Sequence, residues 1–202
     1  MSIKNLAFLG LIFSQWLLLS AGTYHPIKVL VIGYNPGNFI AKSVVYNRAV
    51  KKWKIDPAQI PVIYYDYLRD SFSKDSTVLY QFLTAEEQDD FLKISRYAKK
   101  DDLLSIVIDA HNINAWNELI DKYRPDYFVL INRYEVLSDL VDKLTIHEAD
   151  IEIIGNRKIQ HFLFRARGSV MVNKERAELK LGFVQQEIIK QISTNILDLS
   201  AK

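Results

Sequence analysis

The residues of this 202-residue chain with the strongest claim to chemistry sit in one short string, Gly33-Tyr34-Asn35-Pro36-Gly37. It directly follows an apolar run. Loops leaving the carboxyl end of a strand are where open α/β sheets gather amide N–H groups for a ligand. The glycines are not spaced as G-x-G-x-x-G and no G-K-S or G-K-T follows, so neither dinucleotide nor P-loop phosphate binding is indicated. On turn chemistry alone, Asn-Pro-Gly redirects the chain into its next element. Arg133, Arg165 and Arg167 fall on strand-like segments and form a second candidate, a cationic strip for a carboxylate or phosphate. The plainer reading of the same three is the solvated side of a sheet.

Other reactive side chains are dispersed. The histidines His25, His111, His147 and His161 have neither H-E-x-x-H nor i,i+4 spacing, so no metal site is expected. No G-x-S-x-G elbow is present for a serine hydrolase. Asp66, Asp70, Asp89 and Asp90 are carboxylates of the kind a glycosidase pairs across a sugar, but solvated helix faces explain them more simply. Tyr64, Tyr65 and Tyr67 flank Asp66, a combination suited to sugar or protein contacts and equally to a half-buried element end. No catalytic residue and no cofactor is assigned.

Composition narrows the classes further. Lys plus Arg number 26 against 24 Asp plus Glu, a net charge of +2, so no broad basic field draws the chain to nucleic acid. Hydrophobic residues at 49% and charged residues at 25% describe a folded chain rather than a disordered one. With no cysteine, disulfides, thiolate metal sites and cysteine nucleophiles are excluded together.

The opening carries an address. Lys4 precedes the run LAFLGLIFSQWLLL, and Ser20, Ala21 and Gly22 supply a small-residue exit, the three parts of a secretory signal peptide. Cleavage is expected after Gly22, with Ala21 as the neighbouring choice. Retention as an inner-membrane anchor and burial as a core helix are the competing readings, although the run is short for a span. The expected organisation is therefore residues 1–22 as signal or anchor and 23–202 as a single α/β domain, exported to the periplasm or beyond.

The elements that must position the candidates follow from periodicity. Residues 27–32 (IKVLVI) read as a strand covered on both faces. Residues 39–53 have helical spacing with Asn38 as cap, and residues 60–65 (IPVIYY) read as a second strand. Residues 73–100 are expected to be mainly helical, with a capping box at Thr84 and Glu87. Residues 103–108 read as a strand, 112–123 as a helix ended by Arg124-Pro125, and 126–137 as a core strand. Residues 151–154 and 159–172 read as strands, the latter alternating with Phe162, Phe164, Ala166 and Gly168 on one face. A loop at 173–176 would turn it into a partner strand at 177–185, followed by a helix at 187–199. The fold class expected is α/β (α+β), a mixed sheet covered by helices with an antiparallel C-terminal hairpin and closing helix.

Two resemblances attach to these strings. Gly33-Tyr34-Asn35-Pro36-Gly37 resembles the GINPG-type loop of mismatch-specific uracil-DNA glycosylases, and Tyr123-Arg124-Pro125-Asp126 is similar to the way that superfamily enters a core strand. The resemblance implies a base pocket with Asn35 at the catalytic position; the family's late N-P-S or H-P-S loop has no counterpart here. From Arg124 onward, the order DYFVLINRYEV, variable segment, KIQHFLFRARGSVMV, NKER, AELKLGF and closing helix resembles periplasmic envelope domains. These are the amino-terminal domain of the Tol translocation protein B and lipoprotein activators of penicillin-binding proteins, and small exported Bacteroidetes proteins show a similar tail. That resemblance spans about 75 residues and implies partner binding without assigning residues. The expectation is a non-catalytic binding or assembly module of the cell envelope. Its partner would be another envelope protein or a small polar ligand. The alternatives are an enzyme with a pocket at Gly33–Gly37 or a membrane-tethered envelope domain.

Overall fold

The computed structural model describes residues 25–41, 47, 50–51, 54–108, 110–139, 144–156, 160–171 and 177–201. The signal or anchor segment expected at 1–22 and the loop expected at 173–176 lie outside them. The main sheet is built on β1 (Lys28–Ile32), whose VLVI is fully buried. β2 (Phe39–Ala41) follows the Pro36–Asn38 turn, and β3 (Leu79–Phe82) follows helix α1 (Ile60–Phe72). Then come α2 (Ala85–Ile94), β4 (Ser95–Lys100), β5 (Leu103–Ile108) and α3 (Ile113–Tyr123). The chain finishes with three long strands, β6 (Tyr127–Asp139), β7 (Leu144–Gly155) and β8 (His161–Met171), and the 24-residue α4 (Ala177–Ser200).

Sheet order is β3-β1-β6-β7-β8, with β3, β1 and β6 parallel and β6, β7 and β8 antiparallel. The mixed sheet, covering helices, antiparallel hairpins and closing helix match the expected fold class. β1 pairs with Tyr127–Leu130 of β6, and β2 pairs with Tyr134–Val136 farther along the same strand. The 33–38 loop therefore bulges out between two strands lying along one neighbour. β4 and β5 form a separate hairpin.

Alternation sorts the sheet residues into two cores. Val29, Val31, Val129, Ile131, Ile151 and Ile153 face α1 and α4, while Leu30, Ile32, Phe128 and Leu130 face Phe91, Ile106 and the Trp116–Tyr123 side of α3. Among the described residues no helix is long and apolar enough to cross a membrane.

Four expectations are corrected. Residues 60–65 are the start of α1, not a strand. Asp56 caps a Pro57 turn, Pro61 occupies the first helical turn where its missing N–H costs nothing, and Ile60, Tyr64, Leu68 and Phe72 form a buried stripe four residues apart. Residues 39–41 are strand β2, not helix, because β6 offers them a parallel edge; residues 47, 50 and 51 are helical. Asn38, expected to cap that helix, is instead the last residue of the Pro36–Asn38 turn, whose own cap is Asn35. The 73–100 segment is helical only at Ala85–Ile94, between strands β3 and β4. Its capping box forms as expected, with the Glu87 N–H donating to Thr84 Oγ1 and the Thr84 N–H to Glu87 Oε2. Finally, residues 177–185 belong to α4 and not to a returning strand. Val184, Ile188, Ile192 and Ile196 are each fully buried at helical spacing, and extending that helix backward adds one hydrogen bond per residue fixed.

α4 crosses β8 at Gly168, where an added Cβ would lie 2.5 Å from the Val184 carbonyl oxygen. Backbone cannot swing aside as a side-chain tip does. Gly168→Ala is therefore expected to lower unfolding stability by about 1–3 kcal/mol in urea titration. An unchanged midpoint would show that α4 does not seat against β8 at this distance.

Candidate functional site

The Gly33–Gly37 loop is committed to the fold. Asn35 Oδ1 accepts the Gly37 N–H at 2.9 Å, so its carboxamide turns back on its own turn. The Tyr34 hydroxyl donates to the Pro61 carbonyl at 2.6 Å, tying the loop to α1. Burial pushes that hydroxyl's pKa well above its ordinary value. Its ring lies against Tyr134 and Phe39 at 5.6 and 6.0 Å. Gly33 has no room for a side chain, since a Cβ would come within 2.3 Å of the Tyr65 ring. The Gly33 N–H and the Tyr65 hydroxyl both donate to Gln88 Oε1. Of the tyrosines expected to face a partner, Tyr64 is buried and Tyr65 packs on this loop, while Tyr67 is 36% exposed.

The three arginines do converge, but not as a bare cationic strip. Between β6 and β8 runs β7, whose Glu148, Asp150 and Glu152 point to the same sheet face. Arg133 Nε and Arg165 Nε each lie 2.9 Å from an oxygen of Asp150, which is 1% exposed. Arg167 Nε lies 3.3 Å from Glu148, and Arg165 reaches the same carboxylate at 3.9 Å. An incoming anion would have to displace these carboxylates. The Arg165 guanidinium is raised in pKa by its hydrogen bond to Asp150, against the opposing effect of burial.

Glu148 and Asp150 escape the sequence reading because only residues 151–154 read as a strand there. The signal was present: in LTIHEADIEIIG every second residue from Glu148 to Glu152 is acidic, and Arg165 and Arg167 have the same parity on the next strand.

Asp150, which meets two arginines, and Glu152, which meets His161, also reach the β4–β5 hairpin. The Leu104 N–H donates to Asp150 Oδ2 at 3.0 Å and the Ile106 N–H to Glu152 Oε2 at 2.9 Å. The outer edge of β5 is thus satisfied by side chains of the sheet beneath it. Glu152 also accepts from Ser105 Oγ and Asn132 Nδ2, and its Oε1 lies 2.5 Å from His161 Nε2. Asn132 sits where the β6–β7 register shifts, and its Nδ2 donates to the Leu104 carbonyl at 2.8 Å. With their oxygens occupied in this way, the carboxylates act as structural acceptors. Among the described residues no group of three His, Asp or Glu side chains is placed to hold a metal ion.

His147 is buried elsewhere, on the α1/α4 face of β7. Its Nδ1 lies 2.8 Å from the Tyr134 hydroxyl, and desolvation lowers its pKa from 6.5 to about 4. A neutral ring shares a hydrogen bond with the tyrosine hydroxyl there. Two shallow grooves lie among the described residues. One of about 390 Å³ runs between Ser71–Thr77 and α4, and one of about 580 Å³ lies at the base of the sheet, among His25, Lys28, Arg124 and Gln160.

Two outcomes follow. Asp150→Ala strands two arginines and the Leu104 N–H, so it should cost about 3–5 kcal/mol in denaturant unfolding. A loss below 1 kcal/mol would show the pairings to be incidental. His147 has its folded pKa depressed, so its stabilising neutrality is complete above pH 6.5 and lost as pH falls toward about 4. Over that window the loss amounts to about 3 kcal/mol. His147→Gln should flatten the pH dependence of unfolding free energy between those limits; an identical slope in both proteins would refute the buried neutral ring.

No protein-family model and no curated protein matches the sequence. Among solved structures, the chain is similar to the hypothetical protein CT253 from Chlamydia trachomatis, at 7% identity and a TM-score of 0.45, covering 87% of this chain and 96% of that one. Lipoprotein GNA1162 from Neisseria meningitidis is similar at 13% identity and a TM-score of 0.34, covering 84% and 99% of the two chains. A PelC dodecamer from Paraburkholderia phytofirmans is similar at 8% identity and a TM-score of 0.36, covering 81% and 86%. These values describe partial likenesses in chain path and assign no residue a role.

Proposed function

We propose that this protein is an exported, non-catalytic binding or assembly module of the cell envelope. The observation that carries the binding half is the use made of its reactive side chains. The loop that a base-pocket enzyme would need free has its Asn35 carboxamide on Gly37, and the arginines an anion site would need free are held by Asp150 and Glu148. Apolar side chains remain on the surface, among them Ile40, Val62, Leu79, Ile113, Phe162 and Leu197. The export half rests on the basic, apolar and small-residue order of residues 1–22. The long strands and closing helix after Arg124, whose sequence resembles Tol- and activator-type envelope domains, support a role exercised through partners, although residues 177–185 are helix where that resemblance expects a strand.

The test is made in intact cells. Mature protein recovered from the envelope fraction should have the mass of a chain beginning at Thr23 or Gly22, and cross-linking before lysis should trap it with other envelope proteins. Recovery from the cytoplasm beginning at Met1 would overturn the proposal.

A further inference from the structure

A strand at the rim of a sheet presents unpaired N–H and C=O groups, and among the described residues every rim except one is blocked, charged or short, β2 having only three residues. β5 is closed by Asp150 and Glu152. β4 carries Arg96, Lys99 and Lys100, and β3 is only four residues long. β8 is an 11-residue rim strand whose register with β7 is unbroken. Its odd-numbered residues direct their backbone groups away from β7. The Arg167 N–H and C=O are both taken by the Gln191 carboxamide, and the Ser169 N–H by Glu187. The caps stop there. Among the described residues His161, Leu163 and Arg165 have no such cover from α4, and on the alternate face Phe162, 38% exposed, stacks on Phe164 at 5.3 Å.

We infer that the His161–Arg165 segment of β8 pairs antiparallel with the same segment of a second copy of this chain. The inference rests on the binding-module reading and names the occupant. The window between the α4 caps and the β7–β8 turn is centred on Leu163, so a two-fold axis there sets Leu163 against Leu163 and Phe162 against Phe164 of the second copy. Three outward-facing residues on each side supply about six backbone hydrogen bonds, and the paired phenylalanines supply the apolar contact. Charge does not oppose the approach, because Arg165 is neutralised by Asp150 and His161 lies against Glu152 within each copy. An interface of this small size belongs to the weak, reversible class.

The absence of native cysteine makes the geometry directly testable. Across such a pair the two residue-163 Cα atoms lie about 5.5 Å apart, inside disulfide range. Under mild oxidation at micromolar concentration, full-chain Leu163→Cys should form dimer at least tenfold faster than Val62→Cys, whose site on α1 is 50% exposed. Adding Phe162→Lys should slow the trapping about tenfold, and sedimentation of the unmodified protein should show mass rising with concentration. Equal trapping at positions 62 and 163, or a monomer at all concentrations, overturns the pairing. A monomer that still cross-links to other envelope proteins refutes the pairing alone. A self-pairing chain found in the cytoplasm refutes the envelope reading alone.

Discussion

Burying a carboxylate is tolerable only when its oxygens are met by donors, and two such groups on one strand organise this fold. Asp150 and Glu152, exposed by 1% and 2%, stand two residues apart on β7 and so share a face. Between them they engage Arg133, Arg165 and His161 from the flanking strands, and Leu104, Ser105 and Ile106 from the β4–β5 hairpin. Among the described residues the outer edge of β5 has no strand partner. The carboxylates take the place of that partner, so sheet and hairpin are joined by side chain to backbone instead of by a ladder. Each donor offsets part of the desolvation that the others share, which makes the set cooperative.

The opposite face is joined by aromatic packing. Tyr34, Phe39, Tyr64 and Tyr134 form a buried cluster that closes on His147. Each buried hydroxyl in it requires a partner, and Pro61 and His147 supply two of them. The 33–38 bulge is a consequence. The chain leaves β6 after Ile32, inserts Tyr34 into the cluster, and returns to β6 at Phe39. A sequence string that looks poised for ligand chemistry is thereby explained as the connection between two strands that share one neighbour.

Legibility in the sequence varied with the source of each signal. β1, β5, α3, β6 and the Thr84–Glu87 box rest on local patterns and local hydrogen bonds, and they stand where the patterns put them. Residues 60–65 and 177–185 read as strands because short apolar runs satisfy both periods; a buried stripe reaching to Phe72 or Ile196 decides for helix. β2 could not be read at all. Three residues become a strand there only because β6 extends past the end of β1.

The sequence alone determined the fold class, the order of most elements, the lack of disulfide or thiolate chemistry and the parity that places arginine and carboxylate on facing strands. These follow from periodicity and composition, which are properties of neighbours in the chain. Tertiary structure alone decided that Asn35 is spent on its own turn, that Asp150 stands between Arg133 and Arg165, and that the caps on β8 end at Arg167. Each of those depends on groups 15 or more residues apart, or on a turn's exact direction, and a carboxylate's partner is set by distance in space, which no spacing along the chain encodes.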